Sequence, residues 1–171
     1  MGETKFGFKA VINEYGIKSF LIDSLIPLSI SSVLCIIINI YDVNIHTQLL
    51  HILNIGLMIN PCLLAFILTA YAVIFTFLVG DRNNNASNEN LKDTKRSITT
   101  NFAACLIITS FSIILMAIVS CIANMNLSSE YHHSINNFIF FIISFLLFFP
   151  IRILINVVID IFNCTIWIIE E

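Results

Sequence analysis

FIFFIISFLLFFPIRILINVVIDIFNCTIWII, residues 138–169, is an apolar run interrupted by one arginine, Arg152, and one aspartate, Asp160. A bilayer's hydrocarbon core is about 30 Å thick, and a helix crosses it with about 20 apolar residues. This run is longer than that. A lone strand in lipid would leave its amides and carbonyls without partners, so the run must be helical. Counting about 20 residues from Phe138 reaches Val157, and the remainder is expected to emerge on the far side.

Three other segments meet or approach the same length. They are SLIPLSISSVLCIIINIY at 24–41, LLHILNIGLMINPCLLAFILTAYAVIFTFLV at 49–79 and SITTNFAACLIITSFSIILMAIVSCIA at 97–123. The composition agrees: 58% of the 171 residues are hydrophobic, 11% are charged, and the mean hydropathy is +0.93. A soluble domain needs more charge to stay in water, so the expected class is an all-α integral membrane four-helix bundle. The expected organisation is an amphipathic arm at 1–23 and a transmembrane domain at 24–171.

Orientation follows from the basic residues. Lys5, Lys9 and Lys18 precede the first helix, and Arg82, Lys92, Lys95 and Arg96 lie between the second and third. The other two connections, DVNIHTQ and NMNLSSEYHHSINN, hold no Lys or Arg. Positive charge stays inside, so both termini and the middle connection are expected in the cytoplasm. The long fourth helix then extends into the cytoplasm. In the arm, Phe8, Val11, Ile12 and Tyr15 share a helical face, which fits a helix on the inner membrane surface or a plain cytoplasmic arm. The second helix is also over-long. HILNIGLMI, 51–59, is expected to project outward or to lie at the outer surface, with Pro61 allowing a kink. The start MGETKF lacks the Ser or Thr at position 6 of a myristoylation signal. The first apolar run is too long for a signal h-region and shows no A-x-A pattern, so it is expected to be retained.

Arg152, Asn156, Asp160 and Asn163 are spaced four, four and three residues apart and form one stripe on the fourth helix. An arginine at the centre of a bilayer costs about 2.5–3.5 kcal/mol on insertion scales, and snorkelling lowers that. Arg152 and Asp160 are about 12 Å apart along the helix, too far to pair. Three readings fit the stripe: a snorkelling arginine followed by an amphipathic helix, an ion pair with another helix or subunit, or a water-filled passage. Its narrowness favours a helix buried among other helices. Helix three carries a milder row, Asn101, Cys105, Thr109, Ser112, Met116 and Ser120, with Ala103, Ala104, Ala117 and Ala123 beside it. Close packing with hydroxyls bonded back to carbonyls explains that row, and so does pore lining. Ser29, Ser31 and Ser32 are read as packing residues.

The remaining chemistry is sparse. His46, His51, His132 and His133 fall on the expected outer side, but their spacing suits no metal site. The five cysteines form no CxxC pair and read as small buried apolar side chains. Paired acids, a nucleophile elbow, a P-loop and HExxH are all missing from the sequence, so no enzyme and no cofactor is expected. Asp160 is read as the only acid within the apolar segments. No basic run is dense enough for sequence-specific nucleic-acid binding.

Polar seams on two helices, with no large polar partner inside one chain, point to a homo-oligomeric channel or membrane-permeabilising protein, a tetramer being one assembly. A cytosolic partner protein or anionic ligand would then meet Lys92, Lys95 and Arg96. The alternatives are a non-conducting anchor or sensor that recruits a cytosolic protein, and a holin-like or superinfection-exclusion protein. The arm FGFKAVINEYGIKSFLIDSL, the helix pair at 49–79 and 97–123 and the short basic connection between them resemble the small four-span membrane subunits of bacterial anti-phage systems of the Hailong or Kiwa type. That resemblance implies a multimeric protein of the bacterial inner membrane, encoded with a cytosolic partner. Its expected output is depolarisation or the sensing of infection at the envelope.

Overall fold

The computed structural model describes residues 8–41, 44–80, 89–123 and 132–170, with side chains at 11, 13–41, 44–76, 96–123, 135–159, 161 and 162. The described chain is all-helical: α1 spans Phe8–Tyr15, α2 Ile17–Ile40, α3 Ile45–Gly80, α4 Glu89–Ala123 and α5 His132–Glu170. Helices α2 to α5 are each long and apolar enough to cross a membrane, as expected of a multi-pass membrane protein.

The helices run further than the apolar runs alone indicate. The largest difference is in α2, which begins at Ile17 and so takes in residues 17–23 that the sequence assigns to the arm. Its start is set by Gly16, whose φ of 76° lies in the left-handed region that side chains with a Cβ disfavour. This glycine ends α1 and opens α2, and the Phe20 amide then donates to the Gly16 carbonyl at 3.2 Å. No helix breaker lies between Ile17 and Ser24, so the turn of helix that contains Asp23 continues without interruption into the apolar segment.

Helix α5 is the axis of the packing. It lies against α2, α3 and α4, while α3 also packs on α4, and α1 rests on α4 and the start of α2. Two apolar clusters fill the interior. One joins Leu49, Leu53, Met116, Phe140, Ile143 and Leu147; the other joins Ile67, Phe102, Cys105, Phe149, Ile153 and Val157. The first half of α3, including 51–59, packs into the first of these clusters. Ile52 and Leu53 are buried in the first cluster, and His46 Nε2 lies 3.3 Å from the Ala123 carbonyl oxygen at the same end of the bundle. The helix assignment continues through Pro61.

Helix α2 is inverted relative to a helix of a soluble protein. Its buried residues are Asp23, Ser24, Pro27 and Ser31, all polar or compact, whereas Leu21, Leu25, Val33, Ile36 and Ile40 are exposed. In lipid this arrangement is the stable one, because apolar side chains gain little by leaving hydrocarbon and small residues let two helices approach closely. The hydroxyls are satisfied locally. Ser31 Oγ donates to the Pro27 carbonyl and Ser24 Oγ to that of Leu21, both at 2.8 Å. Ser29 and Ser32, read from sequence as packing residues, are exposed and donate to their own helix's carbonyls.

Candidate functional site

The most concentrated polar chemistry in the described structure gathers around Asp23. Its residue is 5% exposed, close to one end of α2. Tyr15 Oη, from the last residue of α1, donates to Asp23 Oδ2 at 2.7 Å. From α5, Asn156 Nδ2 donates to Asp23 Oδ1 at 2.7 Å, and an Arg152 guanidinium nitrogen lies 3.5 Å from the same oxygen. A carboxylate only accepts, so these donors match it in type. One acid thus ties α1, α2 and α5 together.

The guanidinium is less well served than the carboxylate. Arg152's side chain retains 24% exposure and its Nε is buried without a hydrogen-bond partner. The pair is therefore asymmetric: two short hydrogen bonds from neutral donors hold the Asp23 carboxylate, and the arginine supplies charge at longer range. Burial, and then the hydrogen bond to Asp23, push the Tyr15 hydroxyl well above the usual phenol range, so it stays a donor. Replacing Tyr15 by phenylalanine is expected to destabilise the folded chain by about 1.5–3 kcal/mol, the worth of one hydrogen bond to a charged acceptor. Chemical or detergent unfolding of the two purified proteins in parallel checks this.

A second polar clasp sits at the other end of the α2–α5 contact. Asn137 Nδ2 donates to Asn39 Oδ1 at 3.1 Å, and Cys35 Sγ approaches the Asn137 carbonyl at 3.5 Å. Sixteen residues separate Asp23 from Asn39 on α2, about 24 Å of helix. That separation is comparable with the thickness of a hydrocarbon layer, about 30 Å. Between the two clasps the buried side of α2 carries the small residues Ser24, Pro27 and Ser31, and the clasps fix the register of that close contact.

No family model matches this chain, and no curated protein or solved structure matches it either. Its chemistry therefore rests on its own residues.

The positions singled out from sequence have separate fates. Arg152 and Asn156 both meet Asp23 within the same chain, which removes the premise that the seam lacks a polar partner inside one subunit. Asp160 and Asn163 belong to α5, but their side chains lie outside the described residues, as do those of Lys92 and Lys95 on α4. Thr109 and Ser112 are fully buried in the bundle of one chain. Thr109 bonds back to the Cys105 carbonyl at 2.7 Å. Asn101 is partly buried on α4 and does have an interaction partner. Arg96 pairs with Glu14 of α1 at 2.6 Å; at side-chain exposures of 66% and 37% such a pair contributes roughly 0–1 kcal/mol. Among the described residues, no three of His, Cys, Asp and Glu gather closely enough to hold a metal ion.

Sequence reading missed Asp23 and Tyr15. Asp23 falls at the end of the arm 1–23, just before the apolar segment 24–41, so only Asp160 stands out as an acid within the apolar segments. Asp23, Pro27 and Ser31 recur every four residues, and that spacing is the signal that extends the helix backward through the acid.

Proposed function

We propose that this chain is a non-conducting membrane anchor or sensor of the bacterial inner membrane, with both termini cytoplasmic, that recruits a cytosolic partner. What carries the reading is the intrachain closure of the Asp23 cluster. A conducting lining presents its charges to water, whereas the Asp23 carboxylate uses Arg152, Asn156 and Tyr15 to join helices. The proposal of a channel drew its force from a seam without a partner, and Asp23 supplies that partner for two of the seam's residues. The basic distribution supports the orientation. The α1–α2 elbow then lies at the cytoplasmic edge, where Tyr15 ties the arm to Asp23 of α2 and, through that carboxylate, to Asn156 and Arg152 of α5.

The partner surface in this proposal is formed by Arg82, between α3 and α4, with Lys92 and Lys95 in the first two turns of α4; together they favour a protein with an acidic face. The anti-phage setting rests on the resemblance in topology alone. A periplasm-dependent reporter fused to the C-terminus is expected to stay inactive. Purified protein in liposomes is expected to release no more trapped ion than empty liposomes. Flux that depends on Arg152 would return the reading to a conducting oligomer.

A further inference from the structure

Three fully buried polar side chains in the middle of the bundle have atoms with no hydrogen-bond partner: Asn60 Oδ1 on α3, Ser112 Oγ on α4 and Ser144 Oγ on α5. Two contacts fix their relative heights. Cys105 Sγ lies 3.9 Å from the Pro150 carbonyl oxygen, with α4 and α5 antiparallel. From that level Ser112 is seven residues along α4 and Ser144 six residues back along α5, which raises both in the same direction by about 10 Å. Asn60 Nδ2 approaches Met116 Sδ at 3.6 Å. A methionine on a helix reaches back over the preceding turn, and here that turn contains Ser112. The three side chains thus lie at one height in the bundle, and each is fully buried.

The apolar core changes at the same layer. On α3, Asn60 falls between Leu53 of one cluster and Ile67 of the other; on α4, Ser112 falls between Met116 and Cys105. An unpaired buried amide or hydroxyl costs about 1–3 kcal/mol, and three within one layer is more than a small bundle tolerates without compensation.

We infer that Asn60, Ser112 and Ser144 hold an ordered water molecule that bridges α3, α4 and α5 at the bundle's midpoint. Buried waters typically make about three hydrogen bonds. Asn60 Oδ1 accepts from the water, and each serine hydroxyl can donate to it or accept from it. A monovalent cation is disfavoured, because three neutral oxygens are a poor exchange for its hydration shell in a low-dielectric interior. The site does not depend on the proposed function.

The test is water-to-protein cross-relaxation on the full chain in lipid nanodiscs, with 15N-labelled asparagine. The Asn60 side-chain amide protons are expected to show a long-lived water cross-peak, lost when Ser112→Ala and Ser144→Ala are combined. A wild-type spectrum without that cross-peak overturns the inference, and this arm needs no variant to fold. An unchanged cross-peak in the double variant overturns it equally, since the hydroxyls then bond elsewhere. An Asn60 shift that follows sodium, with choline keeping ionic strength constant, would put a cation in place of the water and also overturn it.

Discussion

Asp23→Ala is expected to destabilise the folded chain by about 3 kcal/mol, the lower end of the range for removing one partner of a buried ion pair. The lower end applies because Arg152's side chain keeps 24% exposure and can turn toward water. The loss has two parts: Tyr15 and Asn156 each lose an acceptor at 2.7 Å, and the arginine keeps its charge without a counter-charge. Asp23→Asn removes the charge and keeps one acceptor oxygen for Asn156, while the new amide nitrogen can donate to Tyr15 Oη, so it comes nearest to isolating the charge. Pairing Asp23→Leu with Arg152→Met should recover most of the stability, because a matched apolar pair has no buried charge to compensate. Unfolding of the four proteins in detergent, analysed as a double-mutant cycle, measures the coupling. A double variant whose loss equals the sum of the singles would show that Asp23 and Arg152 act independently.

Gly56→Leu is expected to cost up to about 3 kcal/mol through overpacking. Glycine inside a helix is about 1 kcal/mol less favourable than alanine, so this position must gain something from lacking a side chain. It gains close approach of α3 to α4. A Cβ built on Gly56 would overlap Met116 Sδ and lie 3.0 Å from its Cε, with Leu147 Cδ1 at 3.8 Å. Met116 is flexible but fully buried, and Asn60 Nδ2 approaches its sulfur. A single added methyl can be absorbed by turning Met116, so Gly56→Ala should lie near neutral, the helix-propensity gain offsetting the shift. A leucine cannot be absorbed this way. Combining Gly56→Leu with Met116→Ala reopens the space and should restore part of the stability. A double variant less stable than Gly56→Leu alone would place the clash elsewhere. Thermal melts in one detergent at one protein concentration give the comparison.

The helical class and the four candidate spans were legible because lipid imposes them. Backbone hydrogen bonds must close within each segment, so length and hydropathy suffice to find the helices. The N-terminal boundary of α2 was not legible in the same way. Hydropathy averages treat Asp23 as an end, whereas the helix continues wherever the backbone meets no breaker, and the break is at Gly16. The stripe on α5 was visible as a row of polar residues at helical spacing. Its purpose was not, because the spacing along one helix says nothing of what stands opposite. Arg152 and Asn156 find their acceptor 129 and 133 positions earlier in the chain.

The same division holds for the whole molecule. Apolar segments long enough to cross lipid are a property of consecutive residues, so primary structure specifies an all-helical protein with four membrane-length helices. Which polar groups meet is a property of helix faces brought together from distant parts of the chain. Packing around α5 turned a seam read as incomplete within one subunit into a closed cluster on Asp23, and it gathered Asn60, Ser112 and Ser144 into one layer. Hydrogen bonds and ion pairs act over a few ångströms in space, and separation along the chain leaves that distance undefined until the helices dock.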